Sequence, residues 1–478
     1  MKSHLKFFIK MWLVSPLRAF LLSRRGAPVR KEGWDKRLLI VNLEGMGDLV
    51  FFTSVLKHYK KRYPEKEIWL LLKGGFGVEQ FFAGKIVDKI ETINYRKFAT
   101  DPFYGLKFLN KLRRVGFETV INHDFCAAEI LGKMLVLELG AKNVIGYEGM
   151  SIEWEKPFDV QQERNLKIVK EKLFPRFTKI IPAIKDPESK ERLRSAIEHY
   201  IAIYEGVTGS KESEYATILP LRGEDDDTEL DDLLKKFNLE KNKYVLFNVN
   251  TTTSYRSWPL FRFSKVAEFL DTKGITVVLM GSSAADIAVA GEFQKVYWPK
   301  AVNIAGKTSL RDLANLVYGS FFTFANDTSV VHFAIAIEKP SICIAGGGQF
   351  GCFANYGYSD INHWLWKKTA CYFDDWHCHR GLPPGAPAPC VEAVPFSAAL
   401  VKVESLVDYL EKNKSYPREK FSPNFPASMP GAYSETPYPA STPIFSAASH
   451  PSLLEIPQGI PSSGRTPFAQ KSRHVATE

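Results

Sequence analysis

Apolar residues in this chain fall into short unbroken runs, separated by stretches in which they recur every third or fourth position. Leu38–Leu43 is one such run. Glu44–Asp48 turns, and Leu49, Phe52, Leu56, Tyr59 and Tyr63 then repeat at helical spacing. That is the pattern of a buried strand, a glycine-bearing loop and a helix. Ile68–Leu72, Thr119–Asn122 and Val144–Tyr147 are predicted as further strands with helical stretches between them, which together make a mostly parallel sheet. Residues 160–215 read as helices and connectors with little strand character. The strand–helix rhythm resumes at Val245–Val249, Thr276–Met280, Phe321–Ala325 and Ser341–Ala345, so a second sheet is expected. The acidic stretch Gly223–Asp232 leads into it, and Asp225, Asp226 and Asp227 are expected to cap a helix there, with a carboxylate metal site as the alternative.

The ends of the chain break this rhythm. After Lys412 the pattern is lost: residues 414–478 hold 11 of the 28 prolines with many Ser and Ala, a composition that cannot offset its ordering entropy, and 413–478 is expected to be a disordered tail. At the other end, residues 1–36 mix Phe7, Phe8, Ile9, Trp12, Leu13, Phe20 and Leu21 with basic residues. This basic amphipathic segment could pack on the folded body, or residues 1–31 could lie in an anionic membrane surface.

Charge narrows the choice of partner. The net charge is +10, but residues 1–37 alone carry ten Lys/Arg against two acids, which leaves the rest near neutral with no evident basic face for nucleic acid. The body is expected at 37–235, including the helical region near 160–215, and at 240–412. Six cysteines in 478 residues make no disulfide framework, the apolar run Met11–Leu22 is broken by Pro16 and Arg18, and no stretch of about 20 apolar residues is available to span a bilayer. A cytoplasmic location is the expectation.

Ligands of open parallel sheets bind beyond the carboxyl ends of the strands, and three polar loops are predicted there. In Glu44-Gly45-Met46-Gly47-Asp48 the glycines allow a tight turn and Asp48 opens a helix, either as its cap or as a base. The loop Asn250–Pro259 offers Thr251, Thr252 and Arg256 as donors suited to a diphosphate, or as a turn capping the helix that follows. In Asn326-Asp327-Thr328-Ser329, Asp327 and Thr328 can cap a helix while free N–H groups face an anion, and His332 lies one turn further on as a ligand contact or a satisfied core histidine.

Taken together the three loops resemble glycosyltransferase family nine, the heptosyltransferase-like enzymes of bacterial surface-polysaccharide assembly. Leu38–Tyr63 is similar to the family's opening strand, Gly-Asp loop and helix. Arg256-Ser257-Trp258-Pro259 resembles its Lys-x-Trp-Pro element. Gly306-Lys307-Thr308-Ser309-Leu310 and Asp327-Thr328-Ser329 resemble its Gly-Lys-x-Ser-Leu and Asp-Thr-Gly stretches, and Asp327 through Ala336 carries its Asp-Thr-x-x-x-His-x-x-x-Ala string. Ser329 stands where the family has glycine, Arg256 where lysine is common, and Ser282–Asp286 where a glutamate usually follows the strand.

The resemblance covers about residues 37–150 and 240–412. It implies an α/β fold of GT-B architecture, in which two Rossmann-like doubly wound domains face across a cleft that closes on its donor: 37–235 for the acceptor and 240–412 for the nucleotide sugar. It implies an inverting transfer of a heptose or related sugar, without metal or other cofactor, from a nucleoside-diphosphate donor to a lipopolysaccharide-type or other glycan acceptor. Asp48 would be the general base. Thr251, Thr252, Arg256, Gly281, Thr308, Asp327, Thr328, Ser329 and His332 would hold the donor. An epimerase or hydrolase of the same fold, or a non-catalytic glycan-binding homologue, are the alternatives. Cys371, Cys378 and Cys390, with His377 and His379, are spaced poorly for zinc and suit a loop over the cleft better.

Overall fold

The computed structural model describes residues 14, 17–18 and 30–413, except 76, 78–81, 83–85, 126–128, 150–166, 168, 185–193, 219–225, 359, 374–375, 377–380 and 384. Most of the N-terminal segment, the Pro-rich tail, Asp225, His377, Cys378 and His379 therefore lie outside the described residues.

The first half of the chain runs β1 (Arg37–Asn42), α1 (Met46–Arg62), β2 (Glu67–Lys73), β3 (Lys89–Ile93), α2 (Tyr95–Thr100), α3 (Pro102–Val115), β4 (Thr119–Asn122), α4 (Glu129–Glu138), β5 (Asn143–Tyr147), β6 (Lys179–Ile181) and α5 (Ala196–Thr208). The second runs α6 (Asp226–Phe237), β7 (Tyr244–Asn248), α7 (Leu260–Thr272), β8 (Thr276–Leu279), α8 (Ala284–Glu292), β9 (Val302–Asn303), α9 (Leu310–Gly319), β10 (Phe322–Asn326), α10 (Ser329–Ala336), β11 (Ser341–Ile344), β12 (Asn362–Leu365), α11 (Pro389–Glu392) and α12 (Phe396–Lys412). Helix α6 packs against α9: Glu229 accepts from Arg311 at 2.7 Å and from Asn315 at 3.1 Å, so it belongs with the second sheet.

Each half builds one parallel six-stranded sheet, ordered β3-β2-β1-β4-β5-β6 and β12-β11-β10-β7-β8-β9. Numbered from its own first strand, the second sheet has the same order as the first, and in both the winding reverses between the first and fourth strands. That point is where open sheets leave a crevice for ligands. The register brings Val41 of β1 level with Asn122 of β4, and Asn248 of β7 level with Ala325 of β10, so each crevice is framed by two loops that start side by side.

The strands read as unbroken apolar runs because both faces are covered. Leu38 and Ile40 point into one core while Leu39 and Val41 point into another, under α3 and α4. The first of these cores does not stop at the boundary between the sheets. It runs from Leu38, Phe51 and Tyr200 through Phe247, Phe324 and Phe333 without a break. No helix among the described residues is long and apolar enough to cross a membrane.

Candidate active site

The two crevices open toward each other because α1, which starts at the first, packs on α10, which starts at the second. Phe51 of α1 lies 4.7 Å from the His332 ring and 4.8 Å from the Tyr356 ring. A β-carbon added to Gly47 would sit 3.0 Å from His332 Cδ2, so glycine is what allows the two helices to approach.

Asp48 occupies the first turn of α1. Its Oδ2 accepts the Gly45 N–H at 2.9 Å, so it does cap the helix. Burial pushes its pKa up to about 6, against the opposing pull of the hydrogen bonds from Gly45 and its own amide and of the charges on Lys73 and Arg256. Gly47, beside Asp48, faces His332, whose Nε2 lies 4.0 Å from the Asp327 that pairs with Arg256, so the carboxylate and the guanidinium border the same α1–α10 contact.

The β7 loop is held by Trp258, which is buried. Its backbone N–H donates to Asn326 Oδ1 at 2.9 Å and its indole N–H to the Val394 carbonyl at 2.9 Å. That anchorage sets the preceding turn, Ser254–Arg256, beside the β10 loop, where Arg256 Nη2 lies 2.7 Å from Asp327 Oδ2. Arg256 Nε is buried with no hydrogen-bond partner among the described residues, and the indole of Trp376 covers the guanidinium at 4.9 Å. Thr251 is engaged within the loop, donating to the Thr253 carbonyl at 2.5 Å with Ser257 Oγ at 3.1 Å, whereas Thr252 is exposed.

The expectation that Asp327 and Thr328 cap α10 is not met. Thr328 takes the cap position without a side-chain cap bond, and its hydroxyl donates to the Asn326 carbonyl at 3.2 Å instead. Asp327 spends its carboxylate on Arg256. The first turn of α10, beginning at Ser329, is thus left without a side-chain acceptor. His332 is 5% exposed and hydrogen-bonded to the Tyr356 hydroxyl at 2.8 Å, with Nε2 4.0 Å from Asp327 Oδ1. Burial lowers its pKa to about 4, so it is neutral near neutral pH.

Gly281 and Thr308 lie on the loops after β8 and before α9. These loops are joined by the Gly306 N–H to the Gly281 carbonyl at 2.9 Å. Gly281 has φ of 155°, and a β-carbon there would lie 2.3 Å from Asp286 Cβ. Asp286 caps α8 through the amides of Ser282 and Ser283 and accepts from Asn250 at 2.8 Å, which ties the β7 and β8 loops together.

The sequence model of glycosyltransferase family 9 (heptosyltransferase) matches residues 176–373, a stretch that contains the whole second sheet. The chain is 24% identical over 341 residues to lipopolysaccharide heptosyltransferase 3 of Escherichia coli, covering 66% of this chain and 85% of that one. Over residues 176–373 the chain is similar to glycosyltransferase family 9. A shorter match, 34% identical over 95 residues, is to lipooligosaccharide heptosyltransferase 2 of Haemophilus influenzae, where it covers 19% of this chain and only 27% of that protein. The fold of the chain is that of a glycosyltransferase family 9 structure from Veillonella parvula (TM-score 0.61, 15% identity, 78% of this chain and 98% of that one). It is also that of the E. coli ADP-heptose heptosyltransferase II (TM-score 0.55, 16% identity, 78% and 99%).

Several residues of this site escape a reading of the sequence. Lys73, which ends β2 and acts on Asp48, showed only as a charge closing an apolar run. Asn326 carries no motif signal beyond its place before Asp327. Trp376 reaches the site because the glycine run after β11 makes room for it: β-carbons on Gly346 and Gly348 would come within 2.1 Å and 2.4 Å of its ring. Cys390 accepts the Gly347 N–H at 3.2 Å, and Cys371 lies 3.3 Å from the Thr369 hydroxyl. Among the described residues no group of His, Cys, Asp and Glu could hold a metal ion.

Proposed function

We propose that this protein transfers a sugar, a heptose or a close relative, from a nucleoside-diphosphate donor to a hydroxyl of a lipopolysaccharide-type or other surface-glycan acceptor. The observation that carries the reading is the pairing, in one site, of a carboxylate poised near pH 6 with an arginine that has a buried N–H to spare. The acceptor hydroxyl attacks the anomeric carbon and gives its proton to Asp48, while the bond from that carbon to the diphosphate oxygen breaks and its electron pair leaves with the phosphate. One displacement inverts the anomeric centre. Arg256 and the amides of the first turn of α10 offset the charge that develops on the departing diphosphate, so the step itself needs no metal or other cofactor.

In this reading the lobe of the first sheet binds the acceptor, and the lobe of the second sheet, α6 included, binds the donor. Thr251, Thr252, Gly281, Thr308, Asp327, Thr328, Ser329 and His332 shape the donor side. The protein works in the cytoplasm, held at the inner membrane face by residues 1–31, where a lipid-linked acceptor is found. The test is release of nucleoside diphosphate from a panel of nucleotide sugars with a membrane-glycolipid extract, for wild type and Asp48→Ala. Release that requires acceptor and disappears in Asp48→Ala is the expected result. Turnover without acceptor would point to a hydrolase or epimerase, and no turnover with any donor to a binding protein.

A further inference from the structure

The exposed positions of α3 fall on a single stripe. Phe103, Lys107, Lys111 and Arg114 follow one another at helical spacings on its outer side, while Leu106, Leu109 and Leu112 are buried beneath. Phe103 is 78% exposed, the most of any large apolar residue among those described. Stability gives no reason for it, since a buried phenylalanine is worth about 1.5–3 kcal/mol and here that is forgone. Lys111 is tied to Glu91 at 2.7 Å, but Lys107 and Arg114 form no ion pair among the described residues. Lys31, whose N–H donates to the Arg114 carbonyl at 2.9 Å, extends the row of cations. Between them and the edge of the sheet runs an open groove of about 960 Å³ floored in part by Trp69 and Phe108.

The described part of the N-terminal segment also meets α3, at Gly105 on the side of the helix away from that stripe. Arg18 is fully buried, with Nε 2.8 Å from Glu138, Nη1 donating to the Phe98 carbonyl at 2.9 Å, and its side chain against Gly105 of α3. Next to it, Leu17 is 48% exposed. A protruding phenylalanine in line with cations that form no ion pair among the described residues is the composition of a surface that sits in the headgroup region of an anionic bilayer.

We propose that the Phe103–Arg114 face of α3 docks this protein on an anionic phospholipid bilayer. In a right-handed strand–helix–strand unit the helix begins at the carboxyl ends of the strands, so Phe103 lies at the end of the sheet that carries Asp48. Docking there brings the rim of the site to the lipid surface. The inference deepens the membrane part of the function proposed above, and its test contains no sugar, so the two can fail separately.

The full-length protein is sedimented with vesicles of phosphatidylglycerol and phosphatidylcholine in equal parts, or of phosphatidylcholine alone, at low and high salt. Wild type should bind the anionic vesicles, bind phosphatidylcholine poorly, and weaken as salt rises. Phe103→Ser should weaken binding about tenfold. Lys107→Ala and Arg114→Ala should each weaken it about fivefold. Thermal midpoints should stay at the wild-type value, because none of the three side chains is buried. Variants that bind anionic vesicles as tightly as wild type would overturn the proposal and leave the N-terminal segment as the anchor. Equal binding to both kinds of vesicle, or none to either, would overturn it as well.

Discussion

Asp48 has two roles that pull on its proton in opposite directions. The Gly45 N–H it caps favours the ionised form, and burial favours the neutral one, leaving the pKa raised from 3.8 to about 6. If Asp48 is the base, kcat/KM should rise with pH through about 6 and level off above it, and a profile flat across that range would remove it from that role. A carboxylate whose pKa is raised on folding adds stability that is present below its unfolded pKa and lost as pH rises through the folded one. Asp48→Asn should therefore be more stable than wild type at about pH 8, by up to about 3 kcal/mol, with the gain gone near pH 4 in urea melts. Arg256 should read out on the donor. Arg256→Ala removes charge-assisted hydrogen bonds and should weaken nucleoside-diphosphate binding about tenfold to a hundredfold by calorimetry, and Arg256→Lys, lacking the planar fork, should restore only part of it.

Among the elements, the glycine run after β11 matters as much as any helix. Gly348→Ala would drive a β-carbon to 2.4 Å from the Trp376 ring and push the indole off Arg256. Overpacking of this kind costs about 1–3 kcal/mol, so a lower melting temperature and a raised donor KM are expected together, and a raised KM without any loss of stability would mean the ring moves freely. The elements also show what periodicity could reveal. The eight strands predicted from apolar runs are all present within a residue or so at their ends, and they are the inner strands of the two sheets. The four it missed, β3, β6, β9 and β12, are the four sheet edges. An edge strand is covered less and can be short: β9 has two residues and β6 three, and β3 alternates Lys89, Ile90, Glu91 and Thr92. Such runs carry little hydrophobic signal. The site was legible where backbone turns impose residue types, as at Gly45–Asp48 and Asp327–Ser329. It was hidden where a side chain arrives from far along the chain, as Trp376 and Lys73 do.

The resemblance implied two domains closing across a cleft, but the molecule has a continuous core between its sheets. Opening the lobes widely would expose Phe51, Tyr356 and Phe353, which now pack together around His332. Calorimetry should accordingly show one cooperative transition for the body, and scattering profiles with and without nucleoside diphosphate should differ little. Two separated transitions, or marked compaction on binding, would show that the lobes move as independent bodies. Phe51→Ala should cost about 3–5 kcal/mol and weaken the coupling between them.

Every strand pairing described in the two sheets is parallel. A parallel pair cannot be closed by a tight turn, so the described strands offer no hairpin from which a sheet could grow. The pairing at the centre of the second sheet joins Asn248 to Ala325, and all of α7, β8, α8, β9 and α9 must be gathered between them before it can form. Folding should therefore be slow for its stability, with the first lobe waiting on a ribosome-distant partner for the other side of its core. Production of either lobe alone should yield aggregates, because each would present its half of the shared core to water.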